Sequence, residues 1–295
     1  MKSAPSARTG IVLTVLATMC WGAGTVLTKL AVSSATNGTQ LFFDQLLAAT
    51  AVCGLFASRR IRWSNKELRF AWLGLLEPGL AYALGLFGLT SATAIQAVIV
   101  QATEGFMIVG VAFVIFREHT PWRVLIYGCA AIVGVVLACA PAGTLSGGIP
   151  VAGSWGVVWI ALGTLAAAFY VSFTASLVSD DCDPVLLIFW QLVAATSAVA
   201  LLATFRGQGA QLLAAPTPIA LGSGIVTYFL SFVLYIYGMR SVPVHTSAFL
   251  LNLTPVFGIV FSLLILGERL TYLSGLGFVV ILASAILLSR STSHG

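Results

Sequence analysis

Two carboxylates stand inside long apolar runs, Glu77 in one and Glu104 in the next. A charged group at membrane depth costs about 2.5–3.5 kcal/mol or more, so it rarely faces lipid and marks a pathway or a site. The first run enters the bilayer near Phe70, which puts Glu77 roughly 11 Å in at about 1.5 Å per residue. The second returns from about Thr93 and carries Glu104 roughly 17 Å down from the opposite face. Across a hydrocarbon core of about 30 Å the two acids meet at nearly one level, on consecutive antiparallel helices. Two carboxyls in one cavity would titrate as a unit, chemistry that suits proton-coupled movement of a solute.

Other residues fall around that level. On the helix of Glu104, the side chains of Thr93, Gln96, Gln101 and Glu104 lie within an arc of about 140°. Such an arc reads as a cavity face for a polar substrate, with Gln96 and Gln101 serving either there or in hydrogen bonds between helices. Pro78 follows Glu77, removes a backbone hydrogen bond and bends the helix, so the pair reads as a gate or coupling site, or as a carboxyl satisfied locally. Lys29 and Asp44 lie a turn or so below the outer surface and are expected to pair and brace that side. Further on, His245, Phe249 and Asn252 form one stripe, and Asn252 stands a turn from Pro255, whose ring frees a carbonyl. Trp21, Tyr82, Phe169, Tyr170, Tyr228 and Phe232 together would line a large cavity with stacking surface, favouring an amphipathic or aromatic small molecule. Glu118 with Arg117, and Glu268 with Arg269, read as helix-end anchors.

The elements that hold these residues are apolar throughout. Of 295 residues 59% are hydrophobic and 8% charged, with mean hydropathy +1.03, against about 25% charged in a soluble domain. The chain is therefore expected to be an all-α, multi-pass membrane protein. Its net charge of +5 sits in short loops and does not point to nucleic acid. No Cys or His cluster suggests a metal or a disulfide framework, and no cofactor is expected. An intramembrane enzyme would need a nucleophile with its base, or metal ligands, at depth, and no spacing supplies them. No GxxxxGK[ST] motif suggests direct ATP drive.

Apolar runs fall at about 10–32, 38–58, 69–90, 93–116 and 121–140, then 154–178, 184–206, 216–239, 243–266 and 271–289. The first could be taken for a signal peptide, but it continues through Leu27, longer than an h-region, and is kept as a span. Ten transmembrane helices are expected. With the N-terminus inside, eleven of the 14 Lys and Arg residues fall on the inner side, so both termini are expected in the cytoplasm. Gln45-Leu-Leu-Ala-Ala-Thr50 recurs as Gln191-Leu-Val-Ala-Ala-Thr196, and Gly88–Glu118 aligns with Gly238–Glu268 at an offset of 150. Each half holds five spans, residues 1–145 and 146–295, joined through the Gly- and Pro-rich stretch 141–153. Five is odd, so the second copy enters from the opposite side. An inverted repeat of this kind places two pseudo-symmetric gates around one midplane site.

Taken in order, Cys20-Trp21-Gly22 with Lys29, Asn252-Leu-Thr-Pro255-Val-Phe, Leu266-Gly-Glu-Arg269 and the duplicated Gln-Leu-x-Ala-Ala-Thr segments resemble the drug/metabolite transporter superfamily. Within it the chain is similar to the EamA-type branch of ten-helix carriers. The resemblance implies a secondary transporter, a monomer or weak dimer, that exports amino acids or related metabolites across a bacterial inner membrane by alternating access. A multidrug, cation or nucleobase exporter of the same fold is the alternative, ahead of a channel. Two positions depart from the family pattern: helix 4 carries Glu104-Gly105 where a proline pair is usual, and helix 2 carries Asp44 where Arg is frequent.

Overall fold

The computed structural model describes residues 7–35, 37–58, 66–115, 117, 122–138, 155–178, 182–239 and 250–292. All regular structure among them is helical. Six helices are long and apolar enough to cross a membrane. These are α1 (Ala7–Ser34), α2 (Gly38–Ala57), α4 (Ala94–Ile115), α6 (Trp155–Leu177), α7 (Pro184–Phe205) and α8 (Pro218–Gly238). Four further apolar helices lie among the described residues: α3 (Leu75–Leu89), α5 (Trp122–Ala138), α9 (Leu253–Leu266) and α10 (Tyr272–Thr292).

Local chemistry sets the helix starts. The Asn37 side chain accepts from Thr39 N at 2.8 Å and Gln40 N at 3.3 Å, satisfying donors that the first turn of α2 leaves open. Asp183 does the same for α7, with Pro184 at the first helical position where its missing N–H costs nothing. Thr217 and Pro218 repeat the arrangement at α8.

The third helix begins later than expected. Lys66–Phe70 forms a separate 3-10 turn, and α3 proper starts at Leu75. Glu67, buried in that turn, accepts from Asp183 N at 2.8 Å and ties the approach to α3 onto the start of α7. For the ninth helix, 243–249 lies outside the described residues, and with it the placement of Phe249 and His245.

The repeat seen in the sequence governs the packing. α3 widens into a π turn at Leu75–Leu80, and α8 does so at Ile225–Leu230, 150 residues on. α4 is interrupted at Ala102–Thr103 and the segment leading into α9 at Asn252, at the same offset. Contacts between the halves are reciprocal. α1 packs along α8 as α3 packs along α6, and α2 lies against α7. A Cβ on Gly74 would strike the backbone of Gln191, and one on Gly224 would strike the backbone of Gln45. The hydroxyls of Thr50 and Thr196, equivalent positions, bond to each other at 2.9 Å. Around them, Leu46, Ala49, Cys53, Ile188, Leu192 and Ala195 form the principal buried cluster. α5 and α10 pack chiefly on each other, where a Cβ on Gly134 would lie 2.8 Å from Gly277 O.

Candidate functional site

The bend in α3 creates the site. Proline disfavours helical geometry in the residue before it, and Glu77 is extended at φ −143°, ψ 125°. The ladder opens there, and the Glu77 carboxyl is carried inward, 9% exposed, instead of outward to lipid. Its neighbours are Glu104 from α4 and the hydroxyl of Tyr82, one turn along α3. The Trp21 side chain reaches Tyr82 from α1, and its indole stands edge-on to Phe232 at 5.2 Å and Tyr235 at 5.4 Å. Tyr82 and Tyr228 meet edge to face at 4.7 Å. The Glu77 carboxyl is thus held among aromatic rings and within electrostatic reach of Glu104, whose side chain is partly exposed.

Two small cavities adjoin this cluster. One, lined by Glu77, Pro78, Tyr170, Gln191, Tyr228 and Phe232 among others, leaves ≈ 10 Å³ for the centre of a water. The second, touched by Thr25, Tyr82, Leu89, Ala97, Gln101 and Tyr228, leaves ≈ 20 Å³. Each is room for about one water. Of the aromatic residues expected to line a large cavity, Tyr82, Tyr170, Tyr228 and Phe232 border these two small spaces. Tyr228 borders both spaces. No Lys or Arg lines either one among the described residues.

The expected site residues divide. Glu77, Glu104, Tyr82, Trp21, Tyr170 and Tyr228 come together, and Gln101 lines the second cavity with its Oε1 3.5 Å from Thr25 Oγ1. Gln96 does not reach the cavity. It closes a capping box at the start of α4: its Oε1 accepts from Thr93 N at 3.0 Å, and Thr93 Oγ1 accepts from Gln96 N at 3.1 Å. Lys29 does not pair with Asp44. Its ammonium donates to Leu89 O at 2.6 Å and Ala92 O at 2.7 Å, because the C-terminal carbonyls of α3 are unsatisfied and attract a cation. Asp44 instead takes Gln40, one turn back on α2, as its partner. Asn252 stands at the interruption before α9. Pro255 is buried where α9 crosses α1, and a Cβ on Gly22 would lie 2.7 Å from Gly258 N.

Glu268, expected as a helix-end anchor, anchors another helix, and two glutamines emerge that single-residue reading passed over. Glu268 accepts from Ala94 N at 2.8 Å and Ile95 N at 2.9 Å, so a residue at the end of α9 caps α4 from across the molecule. Gln45 joins Thr28 Oγ1 at 3.1 Å and Ser223 Oγ at 2.7 Å. Gln191, 2% exposed, accepts from the Tyr170 hydroxyl at 3.0 Å. The signal for the two glutamines was their duplicated Gln-Leu-x-Ala-Ala-Thr setting. Among the described residues no three His, Cys, Asp or Glu side chains gather as a metal would require.

Apolar membrane-crossing helices, a repeated packing skeleton and paired interior acids define a multi-pass membrane transporter. The sequence profile of the EamA-like transporter family matches residues 8–140 and again 154–290, and the chain belongs to that family, within the drug/metabolite transporter superfamily. A solved crystal structure, 16% identical over 97% of this chain and 99% of its own, has the same fold at a TM-score of 0.62. No curated protein matches.

Proposed function

We propose that this protein is a secondary transporter that exports amino acids or related amine-bearing metabolites by alternating access, with protons exchanged at Glu77 and Glu104. The observation that carries the reading is the burial of the Glu77 carboxyl beside Tyr82, Tyr170 and Tyr228, within electrostatic reach of Glu104. No Lys or Arg among the described residues lines the space beside Glu77, and such an acid attracts an ammonium group or a proton, with aromatic faces adding cation–π attraction. Supporting it, reciprocal contacts between the halves fit ten spans arranged as an inverted 5+5 repeat, residues 1–145 and 146–295, around one central site. The distribution of Lys and Arg supports a bacterial inner-membrane location with both termini in the cytoplasm. The reciprocal contacts lie within one chain, which accords with a monomer or weak dimer.

A second reading, efflux of organic cations, is favoured by the absence of any Lys or Arg lining the two cavities among the described residues. Counterflow in proteoliposomes tests the class: a carrier is accelerated by unlabelled substrate on the far side, and a channel is not. Glu104→Gln tests the coupling. Uptake driven by a pH gradient should disappear while counterflow persists, and a variant that kept its full pH dependence would remove the proton from the scheme.

A further inference from the structure

We infer that Gln191 is a specificity-determining residue: its side-chain amide donates to an acceptor, a carboxylate or carbonyl, beside the amine of the transported substrate. The inference rests on the proposed function, in which Glu77 takes the ammonium group.

Two equivalent corners of the fold differ in how they satisfy a glutamine. Gln45 and Gln191 open the same repeated segment, and each has the glycine of a partner helix against its backbone, Gly224 and Gly74 respectively. In the first corner every hydrogen of the amide is used. Gln45 Nε2 donates to Thr28 Oγ1 and Ser223 Oγ, while Oε1 accepts from the Tyr228 hydroxyl at 3.3 Å. In the second corner Tyr170 again donates to Oε1, but Nε2 of Gln191 has no partner in the protein. The residue in the place of Ser223 is Leu73, fully buried, and Thr174, in the place of Thr28, does not bond the amide. A buried, unpartnered N–H₂ is unfavourable unless something from outside completes it. It lines the same cavity as Glu77.

The chemistry of the occupant follows. The Tyr170 hydroxyl holds Oε1, so the donor end of the amide is left for the cavity. Whatever binds must accept from Nε2 and donate to Glu77 within one small space. A carboxylate would be repelled by Glu77 and Glu104, and needs a donor to be tolerated. Among the described residues lining that cavity, Gln191 holds the unpartnered one. The corner now has room for about one water, and one substrate oxygen needs no more.

Counterflow of L-phenylalanine and of 2-phenylethylamine, which lacks the carboxylate, tests this. Gln191→Met keeps the length and removes the donor. It should raise the ratio of the KM for L-phenylalanine to that for phenylethylamine roughly ten-fold or more, the effect of one hydrogen bond to a charged group. Leu73→Ser supplies the hydroxyl that Ser223 gives Gln45, occupies the amide, and should move the ratio the same way. An unchanged ratio in a variant that still transports, or an equal rise in both KM values, overturns the inference and leaves the transporter reading standing. Wild-type protein that carries phenylethylamine in preference to L-phenylalanine overturns it in favour of cation efflux. Wild-type protein that carries neither removes the amine-metabolite reading and this inference together.

Discussion

Lys29 offers the sharpest perturbation of the conformational cycle. Its ammonium sits on Leu89 O at 2.6 Å and Ala92 O at 2.7 Å, while Glu268 holds Ala94 N and Ile95 N at 2.8 and 2.9 Å. The corner between α3 and α4 is thus gripped at its carbonyl end from α1 and at its N–H end from beyond α9. In the proposed alternating-access cycle, opening the second cavity past this corner would need both grips to let go. Lys29→Met removes two charge-assisted hydrogen bonds, each about 1.5–3 kcal/mol in net terms. Partial exposure of the corner gives back some of that, so about 3 kcal/mol is a fair net change. At 1.4 kcal/mol per factor of ten, the open population should rise about 100-fold. Ala97, buried on α4 and lining the cavity, reports on it. In protein freed of native cysteines and placed in nanodiscs, Ala97→Cys should react with a hydrophilic maleimide about 100-fold faster when Lys29 is Met, and Lys29→Arg should restore most of the protection. A rate within two-fold of the parent would refute the idea that this corner closes the path.

Two other outcomes follow from the skeleton shared by the halves. Gly74→Ala and Gly224→Ala each drive a Cβ into glutamine backbone, and each should lower stability by about 2 kcal/mol or more, whereas Gly222→Ala, with nothing within 4 Å, should be neutral in thermal unfolding in detergent. A double-mutant cycle with Thr50→Val and Thr196→Val should show a coupling of about 0.6 kcal/mol, the usual strength of a hydrogen bond between membrane helices, and a coupling of zero would mean that the 2.9 Å pair contributes nothing.

Much of this was legible in the chain. Apolar runs bounded by Asn37, Thr93 and Asp183 marked helices, and the offset of 150 marked equivalence, extending upstream to wide turns that no composition suggests. That Glu77 turns inward, within electrostatic reach of Glu104, was expected from depth alone, since burial cost disfavours acids facing lipid. What escaped was partner choice. Lys29 and Asp44 lay at one depth and of opposite sign, but helix ends carry about half a charge of their own, and the carbonyls of α3 were nearer. Gln96 looked like a cavity amide because period and polarity do not distinguish a lining residue from a cap. Glu268 read as a helix-end anchor and Glu67 drew no reading, yet both accept backbone N–H groups of another helix, contacts that only the folded chain defines.

The differences between the halves locate function better than their likeness. The proposed alternation of two gates calls for equal skeletons, and glycines at 74 and 224, threonines at 50 and 196, and glutamines at 45 and 191 are held in common. A substrate, however, is not two-fold symmetric, and a site at the centre must break the equivalence to bind one. It is broken at four neighbouring places: Glu77 against Thr227, Pro78 against Tyr228, Leu73 against Ser223, and Lys29 against Ala175. The first two pairs line the two cavities, Ser223 of the third bonds Gln45, and Lys29 of the fourth holds the corner between α3 and α4. Thr227, buried with its hydroxyl unpartnered, stands where Glu77 stands in the other half. The acid, the unpaired amide and the proline break therefore all belong to one side of the pseudo-symmetric core, and the polar end of the substrate should be held there, with its apolar part toward Tyr228 and Phe232.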